Sequence, residues 1–491
     1  MALRVLVATR GEIAIRIARA VRELGWEPIT IYAPDDAHSP HVRAGTFSVM
    51  VESYTNPDSV VEAAIKAGAD ILHPGYGFLS EDPSFARKVL DAGISWAGPK
   101  PETMELLGDK HRAKQLAEKV GVPTPPWCEA RSAEEAVRCA ERIGYPVMLK
   151  ASKAGGGRGM RVASNSEEVR RAYRLVSLEA RNGFGDAGVV YIEKYVRNPR
   201  HIEVQILGDG QGHVVHLYER ECSIQRRRQK IIEEAPSPFA EKVPQVRSRL
   251  VDYALRLAEE AEYQSAGTIE FIVDERGQPY FIEANARLQV EHGVTEAVTG
   301  IDIVKQQLLI AAGRELQLGQ EDIKLHGWAI EARIYAEDPE NGFRAVEGVV
   351  TGYREPRGPG VRVDSGAERG LRISTRYDTL LLKVIAWGRD RAEAVARLRA
   401  ALHETVVAGV KTNLELLRTI VESDWFRKAA FHTRILEEKL GELLSQLRAR
   451  RNIVRAIASR IRAKPLGLTG IAAAKLPVVA SHGWPWPPWR T

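Results

Sequence analysis

The stretch that most constrains this chain is 267–293, GTIEFIVDERGQPYFIEANARLQVEHG. Two apolar, β-branched and aromatic runs, Thr268–Asp274 and Pro279–Ala284, flank the polar break Glu275–Gln278. That pattern predicts a β-hairpin. An even loop centred on Arg276–Gly277 sets Glu270 directly opposite Glu283. Cross-strand neighbours have β-carbons about 4.5–5.5 Å apart, and like charges placed there destabilise the pair. A divalent cation between the carboxylates removes the conflict. Asn285 lies two residues past Glu283, so it points to the same face and adds a third oxygen. Oxygen-only ligands suit magnesium or manganese, above all where nucleotide phosphates complete the shell. Arg287, Gln289 and Glu291 continue the alternation and set a cation, an amide and a carboxylate beside that ion. The bland alternative is a solvated hairpin face. Glu, Asn, Arg, Gln and Glu at five successive alternate positions favour a metal–nucleotide site.

The 491 residues exceed one ordinary core, so two to four packed domains are expected. A hydrophobic content of 44% with 27% charged residues excludes a disordered chain. Cys128, Cys139 and Cys222 are too few and too scattered for a disulfide frame or a zinc site, which fits a reducing cytoplasm. The N-terminal apolar run is broken by Arg10 and is not a signal peptide. No stretch approaches the ~18 uninterrupted apolar residues of a membrane span. The net charge of +6 suggests nucleic acid until it is located. Residues 448–491 hold seven Arg and two Lys with no acid, so the other 447 residues sum to −3. The body is mildly acidic and the basicity belongs to the tail.

From the N-terminus, a strand over Leu3–Ala8, a helix from Gly11 to about Gly25, and strands at Pro28–Tyr32, Ala69–Leu72 and Ile94–Ala97 predict a small doubly wound α/β domain. No G-x-G-x-x-G follows the first strand, which argues against dinucleotide binding. The loop HPGYGFLSE at 73–81 follows a strand end, where open α/β sheets bind ligands. A boundary falls near Gly98–Pro101. Beyond it, the strand Pro146–Lys150 ends in lysine and leads into Ala154-Gly155-Gly156-Gly157-Arg158-Gly159-Met160. Unobstructed backbone N–H groups there suit a mobile phosphate lid, although the Gly-Lys-Ser/Thr ending of a Walker A loop is missing. Val189–Val196 predicts a strand with Glu193–Val196 as hinge, and His201–Leu207 opens a hairpin that turns at Gly208–Gln211. The basic run Arg226–Lys230 has no interleaved aromatic residue for base stacking, so it suits a small anion such as phosphate or bicarbonate. Asp302 caps a helix over Ile303–Gly313. A β-rich stretch begins with Gly327–Tyr335, includes a strand at Tyr377–Gly388, and closes with a helix over Arg391–Ala408.

Taken together, these residues resemble biotin carboxylase, of the ATP-grasp superfamily, from about Leu3 to Leu440. RGEIA, HPGYGFLSE, GDK, GGGRGM, EKY, RHIEVQ, QRRxQK, the Glu/Glu-x-Asn pair, RLQVEH and EARI occur in order. The resemblance implies an N-terminal doubly wound (pre-ATP-grasp) domain over 1–105 and an ATP-grasp domain over 106–320, with its lid at about 127–196. A C-terminal β-rich domain over 327–440 and a tail over 441–491 complete the chain. Carried over by position, Lys110, Lys150, Gly156, Gly157 and His201 would contact ATP, with Arg228 nearby. Glu193, Lys194, Tyr195 and Val196 would hold adenine through the backbone. Glu270, Glu283 and Asn285 would bind Mg2+ or Mn2+. Lys230, Arg287 and the backbone at Val290 would hold bicarbonate, with Glu291 as its base, and Arg333 would face the ureido oxygen of biotin.

The residue chemistry agrees. Bicarbonate is a poor nucleophile, so a base must remove its proton beside cations that fix its position. Attack on the γ-phosphate needs cationic charge on the phosphates, and the product carboxyphosphate needs shelter from water. Three positions depart from the family pattern. Arg228 stands where relatives commonly have His or Asn, Gly293 replaces the proline after VEH, and Ala345–Gly348 replaces a Pro-rich turn. No Met-Lys-Met biotinylation site occurs, and no carboxyltransferase fits in the length. A separate biotin carboxyl carrier protein and a carboxyltransferase subunit are therefore expected partners, with acetyl-CoA, propionyl-CoA or pyruvate as the final acceptor and a homodimer as the family's usual state. Residues 448–464 predict a basic amphipathic helix with isoleucines at 453, 457 and 461, ahead of the stiff WPWPPW at 484–489. A disordered tail is the bland reading; docking on a partner subunit is the functional one. Two other classes share features with this one. Another ATP-grasp ligase would share the metal pair but lack HPGYGFLSE joined to RLQVEH and EARI. A non-catalytic ATP-binding scaffold would not need Glu291 and Arg287.

Overall fold

The computed structural model describes residues 2–151, 160–184 and 189–462. Its first strand, β1 (Arg4–Val7), forms from Val5, Leu6 and Val7, all fully buried in a sheet covered on both faces. The chain turns at Gly11, where φ is +70°, into helix α1 (Gly11–Glu23). β2 (Glu27–Tyr32), β3 (Phe47–Met50), β4 (Ile71–His73) and β5 (Ser95–Trp96) complete a five-stranded parallel sheet in the order β3-β2-β1-β4-β5. This is the expected doubly wound layer. The edge strand β3 escaped the sequence reading because Phe47 and Met50 are exposed, so it lacks a buried apolar pattern. The strand order reverses between β1 and β4, and the segments leaving both strands meet there, as a switch point requires. Gly75 is needed at that meeting. Its φ is +65°, and a Cβ would lie 2.7 Å from Thr9 Cγ2.

A second layer comprises β6 (Trp127–Ala130), β7 (Val147–Ala151), β8 (Met160–Ala163) and β9 (Val190–Lys194), antiparallel in the order β6-β9-β7-β8. Helices Ala133–Ile143 and Ser166–Phe184 back it, Val137, Val169 and Val176 sharing a core with Leu149 of β7. Gly156 and Gly157 lie outside the described residues. Cys128 on β6 and Cys139 on the following helix bring their thiols side by side. Their Cα atoms are 6.3 Å apart, a separation a disulfide spans. Strand and helix pack side by side here, which the spacing of 11 in sequence does not reveal. Cys222 is a buried free thiol.

The third and largest layer is one antiparallel sheet of eight strands. β10 (Arg200–Asp209), β11 (Val214–Arg226), β12 (Gln229–Ala235), β13 (Gln264–Val273), β14 (Pro279–Asn285) and β15 (Trp328–Tyr335) run in the order β14-β13-β10-β11-β12-β15. Strands Leu380–Gly388 and Val361–Ser365 extend the sheet beyond β15. The break expected at 320–327 is thus bridged by hydrogen bonds between β12 and β15. Asp302 caps helix Ile303–Ala311 as expected, accepting from the Lys305 N–H at 2.9 Å. The helix expected over Arg391–Ala408 ends at Glu404, because Val406–Ala408 pairs as a strand with Gly352–Arg354. The chain divides into compact units over Met1–Leu444 and Ser445–Thr491. The helix expected at 448–464 belongs to Ile435–Arg462 with Ile453 exposed, and WPWPPW lies outside the described residues. Among the described residues no helix is long and apolar enough to cross a membrane.

The β13–β14 hairpin pairs Glu270 with Glu283, as expected, but by a different route. Its loop, Asp274–Gln278, has five residues rather than an even number. The Asp274 carboxylate closes it, accepting from the N–H groups of Arg276 and Gln278, both at 2.9 Å. Past the loop, Phe271 pairs with Phe281, and a bulge before Glu283 returns the two glutamates to register. Both phenyl rings are fully buried and meet edge to face at 6.3 Å. We expect Phe281→Ala to cost about 3–5 kcal/mol of stability, measured by urea unfolding, because it empties the contact that sets this register.

Candidate active site

Four adjacent strands set four charged residues in one row. In Cα register, Arg220 on β11 faces Glu203 on β10, Glu203 faces Glu270 on β13, and Glu270 faces Glu283 on β14. Directly opposed residues share a face of the sheet, so three carboxylates stand side by side. Arg220, fully buried, closes one end. Its Nε donates to Glu203 at 2.6 Å, while its other nitrogens reach Gln205, Thr295 and Thr268 at 2.6–3.0 Å. Lys230, near the start of β12, answers the middle of the row. Its Nζ lies 2.5 Å from Glu203, 2.8 Å from Glu270 and 2.6 Å from Glu291. Burial would lower the Lys230 pKa, but these carboxylates hold it well above the usual lysine value. His201 approaches Glu270 at 2.9 Å through Nε2, with its Nδ1 held by Gln225 at 2.9 Å.

Glu291 is fully buried between two cations, Lys230 at 2.6 Å and Arg333 Nη2 at 2.9 Å. Burial would raise its pKa, yet Lys230 first and Arg333 next hold it well below the carboxylate range. Arg333 on β15 is anchored from behind by Glu233 at 2.6 Å. The alternation read through Glu291 does not persist as strand: β14 stops at Asn285, and 286–291 form a loop into helix His292–Thr299. Within that loop Arg287 donates to Asn285 Oδ1 at 3.1 Å and Gln289 Oε1 at 3.0 Å, and its Nε meets Glu81 at 3.0 Å. Glu81 comes from the HPGYGFLSE loop, so the N-terminal sheet reaches this site too.

The opposite wall carries the other predicted residues. Lys150 on β7 pairs with Glu193 on β9, and so does Lys114, which the sequence reading missed. Burial would raise the Glu193 pKa, but the two ammonium groups bring it down to about 2. Lys114 is buried over the rings of Trp127 and Tyr191, at 4.9 and 5.6 Å. Lys194 turns its Nζ to the carbonyls of Gly144 and Tyr145 at 2.8 and 3.0 Å. Arg228 sits in a two-residue hairpin turn between β11 and β12, with φ of +47° at Arg227 and +70° at Arg228. Its guanidinium lies against the sulfurs of Met148 and Met160. Every predicted site residue that the structure describes, Lys110, Tyr195, Val196 and Val290 included, lines one cleft of about 1050 Å³.

The donor chemistry fits a divalent cation in part. Glu283 opens to the cleft, and burial within the surrounding walls, then the charge of Glu270, raises its pKa. Glu270 instead has its oxygens turned to Lys230, His201 and the amide nitrogen of Asn285 at 3.0 Å. Burial would raise the Glu270 pKa; Lys230 and then His201 bring it far below the usual range. An ion beside Glu283 would relieve the repulsion within the pair, and Asn285 would have to turn over to offer its oxygen. Glu203, Arg220 and Lys114 were not singled out from the sequence. For Glu203 a signal existed, since His201, Glu203 and Gln205 alternate along β10 exactly as Glu270 and Thr268 do along β13. Arg220 and Lys114 carried none, because a cation in a polar-looking run shows its partners only in three dimensions.

A four-stranded sheet and a large antiparallel sheet lining such a cleft define the ATP-grasp class. Three family models match in succession: the biotin carboxylase N-terminal domain over residues 1–104, the carbamoyl-phosphate synthase L chain ATP-binding domain over 109–319, and the biotin carboxylase C-terminal domain over 331–438. The 2-oxoglutarate carboxylase small subunit of Hydrogenobacter thermophilus is 46% identical over 442 residues, covering 89% of this chain and 93% of the relative. The biotin carboxylase of Nostoc is 44% identical, covering 89% and 98%. The crystal structure of the H. thermophilus biotin carboxylase domain dimer, in complex with MgADP, ADP and bicarbonate, superposes with a TM-score of 0.86 at 46% identity, covering 89% of this chain and 98% of that one. The chain belongs to the biotin carboxylase family.

The Glu193 pKa of about 2 against 4.5 for an ordinary glutamate carries a stability prediction. A depressed carboxylate stabilises the fold fully above the unfolded value, and that contribution is lost as pH falls from 4.5 towards 2. The melting-temperature gap between the parent and Glu193→Gln should therefore be widest above pH 4.5 and narrow below it, as thermal melts across pH 3–7 would register.

Proposed function

We propose that this chain carboxylates biotin carried on a separate carrier protein, using ATP and bicarbonate and passing through carboxyphosphate, as the first half-reaction of a multi-subunit carboxylase. The observation that carries the reading is the convergence of Lys230 and Arg333 on the buried Glu291, beside the opposed pair Glu270 and Glu283. Bicarbonate would sit against Lys230, Arg287 and the Val290 N–H. Glu291 is ionised and so free to accept a proton, but its depressed pKa makes it a weak base as it stands. An anion drawing on Lys230 weakens the charge that holds that pKa down, so binding itself makes the base stronger.

Lys110, Lys150 and His201 would meet the phosphates, and the backbone at Glu193–Val196 would take adenine. Glu270, Glu283 and Asn285 would hold Mg2+ or Mn2+; bound there, the ion supplies positive charge to the phosphate oxygens. Arg333, held by Glu233 and Glu291 on its inner side, would present the rest of its guanidinium to the ureido oxygen of biotin. The carboxyltransferase subunit would choose the final acceptor. A homodimer is proposed by analogy with the H. thermophilus domain, which crystallised as one. A cytoplasmic location, where nucleotide and bicarbonate are both at hand, belongs to the same proposal.

ADP release that requires bicarbonate and biotin together tests this reading. Release with a different acceptor would make the chain another ATP-grasp ligase, and nucleotide binding without release would make it a scaffold. Glu291→Gln should lower biotin-dependent ADP release by about 10²–10⁴-fold while nucleotide binding, measured by calorimetry, stays within twofold or so of the parent.

A further inference from the structure

Lys383, on strand Leu380–Gly388, has no surface exposure, and neither the nucleotide contacts nor the acid–base chemistry above uses it. A buried ammonium loses several kcal/mol of hydration unless its partners compensate, so the choice of partners is informative. The shortest contact is not with a carboxylate. Nζ donates to the backbone carbonyl of Val290 at 2.7 Å, whereas Glu12 on α1 lies at 3.5 Å and Asp364 at 3.8 Å. An ion pair built only to join elements of the core would close on its acids first.

The strand register supplies the second observation. Lys383 lies directly opposite Arg333 on β15, and Asp364 lies directly opposite Lys383 on its other side. Two cations side by side would repel. Here they divide one dipeptide between them, Arg333 taking the Glu291 side chain at 2.9 Å and Lys383 taking the Val290 carbonyl. The loop 286–291 has no strand or helix hydrogen bonding of its own to hold it. The same strand also limits the residues that follow, since a Cβ on Gly293 would come within 2.5 Å of Ile385 Cδ1.

We propose that Lys383 is a positioning residue for bicarbonate: by fixing the Val290 carbonyl it sets both the Val290 N–H and the Glu291 side chain at the distances the anion needs. The peptide plane that carries this carbonyl ends at the Glu291 Cα, so the hydrogen bond anchors the backbone from which that side chain leaves, and it holds one end of the Val290 residue whose N–H lies in the adjoining peptide. Glu12 and Asp364 keep the ammonium charged, and Glu12 ties the arrangement to the N-terminal sheet through α1. The inference rests on the bicarbonate site proposed above.

Lys383→Met removes the donor and the charge; Lys383→Arg keeps both with altered geometry. Steady-state ADP release is measured against bicarbonate and against ATP, with melting temperature recorded for each variant. Lys383→Met should raise the bicarbonate KM about tenfold or more while the ATP KM moves less than about twofold, a split that general loosening of the core would not produce. Lys383→Arg should fall between parent and Met, about threefold or more above the parent. It decides alone where Lys383→Met does not fold. A bicarbonate KM at the parent's value in either folded variant, or equal rises for bicarbonate and ATP, overturns the assignment. Glu291→Gln in the same series separates the two readings. If it stays active, the bicarbonate site itself is misplaced; if it is inactive while the Lys383 variants behave as parent, only the role of Lys383 falls.

Discussion

Three carboxylates in register across adjacent strands, Glu203, Glu270 and Glu283, are the arrangement the rest of the site answers. Left alone, such a row would push its strands apart. Arg220 neutralises one end from within the core, Lys230 spans the middle, and His201 leans on Glu270. Glu283 is exposed to the cleft while Glu270 lines it as a buried residue, so a bound cation would be attracted beside Glu283. Glu203 and Glu270 of the row and Glu291 of the following loop therefore share one counter-charge, Lys230.

That sharing explains how the electrostatics are graded along the cleft. Glu291 and Glu193 are both buried and both ionised, each held between two cations, whereas Glu283 has its pKa raised by burial within the cleft walls and then by the charge of Glu270. These groups come from different layers: Glu283 stands on β14 of the large sheet, Glu193 on β9 of the four-stranded sheet, and Glu291 in the loop after β14. The N-terminal sheet adds to the site from its switch point through Glu81 on Arg287, and α1 adds Glu12 beside Lys383. The four-stranded sheet adds Lys150 and Glu193. Each layer holds part of a charge pair whose other half lies elsewhere, so separating them would leave buried charges unpaired.

Much of this was legible beforehand, and the misses have distinct causes. The hairpin and its opposed glutamates were readable because a period of two carries side-chain direction directly. The five-residue loop and the compensating bulge were not, since an odd loop with one extra strand residue preserves the same pairing as an even loop. The strand continuation through Glu291 was misread for a related reason: alternation along a loop that hugs a cleft mimics a strand. The C-terminal helix was drawn too long because Val406–Ala408 is apolar whether it continues a helix or pairs with Gly352–Arg354. The juxtaposition of Cys128 and Cys139 was not readable because it depends on how strand and helix pack.

By itself, the sequence determined the local elements, the polar face of the hairpin and the order of motifs that marks the family, because these follow from periodicity and residue type along the chain. Only the tertiary structure decided which charges meet. Arg220 with Glu203, Lys114 with Glu193, and Lys383 with the Val290 carbonyl join positions 17, 79 and 93 residues apart. Electrostatic interaction depends on distance through space and on burial, and neither quantity exists until the strands have been set side by side.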